Sequence, residues 1–266
     1  MKTPLSYYGG KQQLAKLILG LIPEHRIYCE PFLGGAAIFF AKEQSKVEII
    51  NDTNGEIINF YEVLKRDFIA LEREVAISLH SRKLHSHARV VNQTPELFDR
   101  VKRAWAIWVL ANSSYGNKLD GGFGYDRGGE TSKKLANKRL NFSEDYAIRL
   151  QNAQIECCDA LRVIRSRDSE ETFFYCDPPY VGADQGHYDG YTQEDFDGLL
   201  SALEGIKGKF LLSSYRNKAL AEVSKQNGWH SFEIKMACSM TNNSKSEEKR
   251  SKIEVLTANY TIKSPD

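Results

Sequence analysis

Asp177-Pro178-Pro179-Tyr180 follows directly on the apolar run Thr172-Phe173-Phe174-Tyr175-Cys176, and these four residues carry the most specific chemistry in the chain. Two consecutive prolines remove backbone donors and fix the direction of the chain, so carbonyls and flanking side chains turn outward where a strand ends. The Asp177 carboxylate and the Pro178 carbonyl are then two acceptors suited to an exocyclic amine, and Tyr180 is an aromatic plate for the attached ring. Such bonds draw electron density onto the amine nitrogen and prepare it as a nucleophile. A Pro-Pro turn with a capping Asp has the same four letters, so the reading needs further residues.

A second group supplies them. Glu30-Pro31-Phe32-Leu33-Gly34-Gly35-Ala36 reads as a glycine turn between a first strand and a helix, where the backbone of a nucleoside cofactor can lie close to the chain. Asp52 stands 18 positions after Gly34, at the end of a second apolar run, suited to accept hydrogen bonds from ribose hydroxyls. Its neighbours Asn51, Thr53 and Asn54 equally allow a helix cap there. Only two adjacent glycines are present, which departs from the dinucleotide G-x-G-x-x-G pattern; ribose and adenine without a pyrophosphate suit the turn better, and S-adenosylmethionine is such a cofactor. Near the amino terminus, Tyr7-Tyr8-Gly9-Gly10-Lys11 precedes a helical stretch from Gln12 to Leu21. Its glycine amides and its lysine suit a carboxylate, and a plain turn before a helix fits as well.

The elements that position these groups alternate strand and helix. Tyr28 to Glu30, Val47 to Ile50, Ile155 to Cys158, Thr172 to Cys176, Lys209 to Ser213, Ser231 to Ile234 and Val255 to Ala258 read as short strands. Helical stretches between them predict an α/β fold with a mostly parallel sheet. Thr192 with Asp195 predicts a capped helix ending near Gly205, and Thr94-Pro95-Glu96 predicts the start of a helix carrying Leu97, Val101, Trp105, Trp108 and Val109. Both tryptophans are expected in the core. Residues 65–150 differ in texture, being helical and then glycine-rich from Asn112 to Gly129, and read as an insertion. Asn242 to Arg250 is expected to be a mobile polar loop, and Val181 to Tyr191 either closes over a bound base or forms a surface turn.

The chain has 266 residues, 41% of them hydrophobic, enough for a large core and inconsistent with a disordered or disulfide-built chain. No apolar run approaches the roughly 18 residues that cross a bilayer, and the first residues lack the apolar stretch of a signal peptide, so a cytoplasmic location is expected. Five cysteines without C-x-x-C spacing suggest reduced thiols and no metal site. The net charge of +1 conceals an asymmetry: 16 basic and 10 acidic residues lie between 65 and 150, against 20 and 25 elsewhere. A basic segment suits a phosphate backbone, although a solvated face has the same composition. His80, His85 and His87 with Arg82, Lys83 and Arg89 read as such a face.

Together the four motifs, in this order, resemble the Dam-like, D12-class DNA adenine N6-methyltransferases of the alpha motif order. The resemblance spans nearly the whole chain and implies a Rossmann-like S-adenosylmethionine-dependent sheet, residues 1–64 and 151–266, with a mainly helical target-recognition domain inserted at 65–150. It implies cofactor contacts at Tyr7, Gly10, Lys11, Glu30, Pro31, Phe32, Gly34, Asp52 and Asp177, with Asp159 meeting the cofactor's adenine. Asp177, Pro178, Pro179 and Tyr180 match the catalytic motif. Ala36 replaces a third small turn residue that is often glycine. DNA contacts are expected from Asn112, Tyr115, Gly116, Arg127, Lys133, Lys134, Lys138 and Arg139. Asn112 to Asn117 only loosely resembles the Asn-Arg-Tyr-Gly-Phe-Asn-Gly run of GATC-methylating members, so the target sequence stays open.

The implied reaction is direct methyl transfer to an adenine flipped out of double-stranded DNA. No Cys follows a Pro, the order found in cytosine C5 enzymes with a covalent intermediate. A cytosine N4 amine or an RNA base would suit the same acceptors, and a non-catalytic DNA-binding protein on this fold is the alternative of another class. Related protein-amide methyltransferases carry Asn where Asp177 stands. The expected partners are double-stranded DNA and, where the enzyme is half of a restriction pair, an endonuclease; monomeric or weakly dimeric action on DNA in a bacterial or phage-infected cell is expected, with no metal.

Overall fold

A computed structural model describes residues 1–182, 190–237 and 251–262. The expected polar loop 242–250 lies outside them, as do Cys238 and most of the segment Val181 to Tyr191. Seven strands form one sheet: β1 Ile27–Glu30, β2 Val47–Asn51, β3 Ala153–Glu156, β4 Thr172–Cys176, β5 Lys209–Tyr215, β6 His230–Ala237 and β7 Ser251–Ala258. Their order is β3-β2-β1-β4-β5-β7-β6. The first five are parallel, and β7 runs antiparallel between β5 and β6. This is the mostly parallel, Rossmann-like sheet expected from the alternating strands and helices. Strand order reverses between β1 and β4, so the two chemistry-bearing motifs emerge side by side at the carboxyl edge, where such sheets bind ligands.

Along β4 the two faces of the sheet are both buried. Phe173 and Tyr175 enter one core, while Phe174 and Cys176 enter the other. Alternation of side chains across the strand explains how a continuous apolar run serves both. One face is covered by α9 Ala160–Arg167, α10 Gln193–Glu204 and α11 Lys218–Asn227. The other is covered by α1 Ala15–Leu21, α2 Ala37–Ala41 and α3 Gly55–Arg66. The inserted helices extend that second core: α4 Phe68–Ala76, α5 Arg82–Gln93, α6 Arg100–Ser113, α7 Glu130–Leu140 and α8 Asp145–Leu150. Leu71, Ala88, Trp105, Trp108, Leu135 and Leu150 all belong to it.

Helix starts follow local chemistry. Thr192 and Asp195 form the expected capping box, each side chain accepting from the other residue's amide, and α10 ends at Gly205. Asn54 caps α3 by accepting from the amides of Glu56 and Ile57. The long inserted helix begins later than the sequence predicts. Pro95–Leu97 is a three-residue 3-10 turn, Phe98 is extended, and Asp99 caps α6 at Arg100. Asp99 accepts from the Lys102 amide at 2.9 Å, a closing bond that Thr94 does not make. Leu97 is consequently exposed, while Trp105 and Trp108 are buried as expected. No helix among the described residues is long and apolar enough to cross a membrane.

Candidate active site

A cavity of about 1070 Å³ opens at the carboxyl edge of β1 and β4. The glycine turn after β1 forms its floor. Gly34 has φ +47° and donates its amide to Asp52 at 2.8 Å, while the other Asp52 oxygen accepts from Asn54 at 2.8 Å. Asp52 is therefore buried at the tip of β2 with its carboxylate fixed, and Asn54 rather than Asp52 caps the following helix. Asn51 joins the strand tips, donating to the carbonyls of Pro31 and Cys158 and accepting from the Cys158 amide. The glycines also admit a side chain of the protein itself. A Cβ at Gly34 or Gly35 would stand 2.9 or 2.5 Å from atoms of Tyr7, so the Tyr7 ring packs onto this turn only because both residues are glycine. Ala36 adopts φ +54°, the left-handed conformation, so the turn keeps the shape that a glycine would adopt more easily.

The Asp-Pro-Pro-Tyr segment leaves β4 beside this turn. Asp177 Oδ1 accepts from Lys11 Nζ at 2.7 Å and from the Tyr180 hydroxyl at 3.0 Å. The Tyr180 hydroxyl also meets Ser213 Oγ at 2.9 Å and Glu254, and Ser213 donates to the same Glu254 oxygen. Glu254 lies 3.5 Å from Lys11 Nζ. Burial opposes the Lys11 charge, but Asp177 and Glu254 outweigh it and hold the ammonium above the ordinary lysine pKa. Burial pushes the Asp177 carboxyl above its ordinary range against the pull of Lys11, and Glu254 adds to the push. The network thus sets two carboxylates against one ammonium in a desolvated site. Lys11 also lies 4.8 Å from the Tyr180 ring centroid, and Tyr215 packs edge-on against that ring.

Lys11 is reached through a 3-10 turn of three residues, with α1 starting only at Ala15. The carboxylates it meets are those of the chain itself. Glu30 is buried in the cavity wall and accepts from the Tyr28 hydroxyl at 2.7 Å; burial raises its pKa to about 8. Tyr7, Gly10, Pro31, Phe32, Pro178, Pro179 and Asp159 line the same cavity, and Asp159 caps α9 through the Arg162 amide. The structure therefore gathers all the expected cofactor-facing and catalytic residues at one site. Glu254, Ser213 and Tyr215 join them through Tyr180 without having been marked by any motif. Among the described residues, no group of three or more His, Cys, Asp or Glu is placed to hold a metal.

The residues expected to face DNA divide into two sets. Tyr115 and Gly116 line the cavity mouth, and Arg127, Lys133 and Lys134 are exposed, with Lys133 paired to Glu130. Asn112, Lys138 and Arg139 are instead held within the fold. Asn112 is buried, accepts from the Ser6 amide and donates to the carbonyls of Pro4 and Trp108. Lys138 donates to the Thr3 carbonyl at 2.6 Å, and burial lowers its pKa to about 8. Arg139 donates to the Ser78 carbonyl. These three fasten the amino-terminal segment and the loop after α4, a task invisible without the tertiary contacts. His80 and His85 likewise leave the solvated face: His85 is buried against Ser114 Oγ at 2.8 Å and His80 bonds the Gly124 carbonyl at 2.9 Å.

Residues 7–251 match the family profile described as D12 class N6 adenine-specific DNA methyltransferase. The Type II methyltransferase M1.LlaDCHI of Lactococcus lactis subsp. cremoris is 27% identical, over 95% of this chain and 93% of that protein. The Type II methyltransferase M.MjaIII of Methanocaldococcus jannaschii is 28% identical, over 74% of this chain and 75% of its own length. The DNA adenine methylase of Haemophilus influenzae is 25% identical, over 96% and 92% respectively. The profile covers nearly the whole chain, including every element that frames the cavity from Tyr7 through β4 and β5, so this protein belongs to the D12 class N6 adenine-specific DNA methyltransferases.

Proposed function

We propose that the methyl donor for this site-specific adenine methylation is S-adenosylmethionine, taken up in the cavity between the glycine turn and the Asp-Pro-Pro-Tyr segment. The observation that carries the proposal is the buried group of Lys11, Asp177 and Glu254, whose formal charges sum to −1 beside a cavity of about 1070 Å³. A sulfonium cation suits that balance. The other groups fit the rest of such a donor: Asp52 toward ribose hydroxyls, Asp159 toward the adenine amine, and the rings of Tyr7 and Phe32 toward apolar surface. When bound, the donor supplies an electrophilic methyl group.

The residues of the chain then act on the acceptor. Asp177 and the Pro178 carbonyl take hydrogen bonds from N6 of the flipped adenine and orient its lone pair, mainly a positioning and electrostatic effect. Lys11 holds the Asp177 carboxylate in place until the base arrives. Tyr180, anchored by its hydroxyl to Asp177 and Glu254, offers its ring for stacking. Residues 65–150 act in target recognition, and their loop at Tyr115 and Gly116 reaches the cavity mouth. This reading is tested by titrating the protein with S-adenosylmethionine and S-adenosylhomocysteine, then supplying labelled donor and unmethylated plasmid with nucleoside analysis. N6-methyladenine at one short motif, abolished by Asp177→Ala with S-adenosylmethionine binding weakened and binding of the uncharged thioether S-adenosylhomocysteine retained, is the expected result. Absence of calorimetric binding of either cofactor would refute the donor assignment.

A further inference from the structure

Eight of the sixteen basic side chains between residues 65 and 150 are engaged by carboxylates or carbonyls of the chain itself. Arg100 pairs with Glu62, Lys102 with Glu74, Arg103 with Glu56, Arg149 with Glu48 and Lys133 with Glu130. Lys65, Lys138 and Arg139 donate to backbone carbonyls. Arg82, at the first position of α5, is different. It is exposed, pairs with no carboxylate among the described residues, and carries its guanidinium carbon 5.1 Å from the Phe123 ring centroid and 5.3 Å from that of Tyr125. The two rings are themselves stacked at an interplanar angle of 15°, and Tyr125 is 68% exposed.

This platform is rigidly built. Phe123 and Tyr125 sit on a hairpin closed by the Tyr115 amide on the Gly122 carbonyl at 2.7 Å and the Gly124 amide on the Ser113 carbonyl at 2.8 Å. Gly124 lies close to its neighbours, and a Cβ there would stand 3.1 Å from the Ser113 carbonyl oxygen. His80 donates to the Gly124 carbonyl and packs 4.6 Å from the Phe123 ring, and His85 pins Ser114. The same hairpin lines the active-site cavity through Tyr115, Gly116 and Lys118. One hairpin thus carries both cavity-lining residues and the rings that hold Arg82.

We propose that Arg82, held against Phe123 and Tyr125, reads a guanine of the recognition sequence beside the target adenine through paired hydrogen bonds to its O6 and N7 in the major groove. An aromatic platform under a guanidinium limits its rotamers and leaves the N–H edge for a planar, two-pronged acceptor. Guanine presents such a pair of acceptors, and an arginine fork on it is the commonest specific base contact. A phosphate contact would need no such fixing, and the exposed Arg127 and Lys134 suit that task.

The test starts from the motif methylated by the wild-type enzyme. Rates are then measured on duplexes carrying 7-deazaguanine, which lacks the N7 acceptor, at each guanine in turn. Wild type is expected to lose about 10-fold or more at one position. Arg82→Ala and Arg82→Lys should both lose about 10- to 100-fold on the unmodified motif, respond no further to 7-deazaguanine at that position, and tolerate other bases there. Cofactor affinity and thermal midpoint, measured alongside, should match wild type because Arg82 is exposed. A uniform loss on all duplexes, with the slope of log affinity against log salt shallower by about one, would reassign Arg82 to a phosphate. Retained rate and discrimination in Arg82→Ala, or a motif without guanine, would overturn the proposal outright.

Discussion

Glu30 should make this protein less stable as the solution becomes more alkaline, and replacing it with glutamine should abolish that contribution. The carboxyl is buried in the cavity wall, where burial raises its pKa to about 8 despite the Tyr28 hydroxyl bonded to it at 2.7 Å. In the unfolded chain it titrates near the ordinary 4.5. Between these two values the native state keeps a proton that the unfolded state has released, so stability falls as pH rises through that window. At 1.36 kcal/mol per pH unit the full penalty above the folded pKa is about 5 kcal/mol. Glutamine has the shape of the protonated acid and can still accept from Tyr28, yet carries no charge to desolvate. Glu30→Gln should therefore match wild type in urea unfolding near pH 4.5 and gain several kcal/mol by about pH 9. A constant destabilisation at every pH would refute the reasoning, since it would mean that Glu30 is ionised and well paired in the folded protein.

Three further outcomes are expected. Glu254→Gln should lower kcat with little change in the KM for DNA, and it should move the acid limb of the pH–rate profile to lower pH. The reason is that the Glu254 charge opposes ionisation of Asp177; an unmoved limb would show that Glu254 acts only in packing. Lys138→Met should leave the salt dependence of DNA binding unchanged and should hold or raise stability at neutral pH. Its ammonium pKa, depressed to about 8 by burial, means that below this value folding carries a charge it disfavours, and that stability is lost as pH falls through it. A shallower salt slope would restore Lys138 to the phosphate contacts. Asn112→Ala should cost about 1–3 kcal/mol, because the Ser6 amide and the Pro4 carbonyl lose buried partners. Its target sequence should be unaltered, and a changed methylation motif would show that Asn112 reads DNA after all.

What could be read in the sequence was what local chemistry decides. The Pro-Pro pair after an apolar strand, the glycine turn and the acid at the tip of β2 each combine a strand end with the residue that the site needs. Parallel β1 and β4 then bring them together without further information. The Thr192 cap is local in the same sense. Glu254 was hidden because its place depends on β7 inserting antiparallel beside β5, which pairs Glu254 with Tyr215 across a gap of almost forty residues. Asn112, Lys138 and Arg139 share letters with DNA-binding side chains, and only their partners at Ser6, Thr3 and Ser78 give them another task. Pro95 gave a plausible helix start that Asp99 won by closing a better cap.

The way the insertion is packed has a consequence for how recognition and chemistry communicate. Its helices extend the core on one face of the sheet, with Trp105 and Trp108 of α6 in the same apolar cluster as Phe173 and Tyr175 of β4. Tyr175 lies two residues before Asp177 on that strand, while α6 leads directly into the hairpin that carries Tyr115 and Phe123. Close-packed side chains transmit displacement instead of absorbing it. If the hairpin reads the target as proposed, its seating on the proper sequence should bear, through α6 and the shared core, on the strand that presents Asp177. A hairpin displaced by a wrong base pair bears on it differently. Discrimination should then be visible in kcat as well as in affinity, because the proposed acceptors and the proposed reading surface share one apolar core.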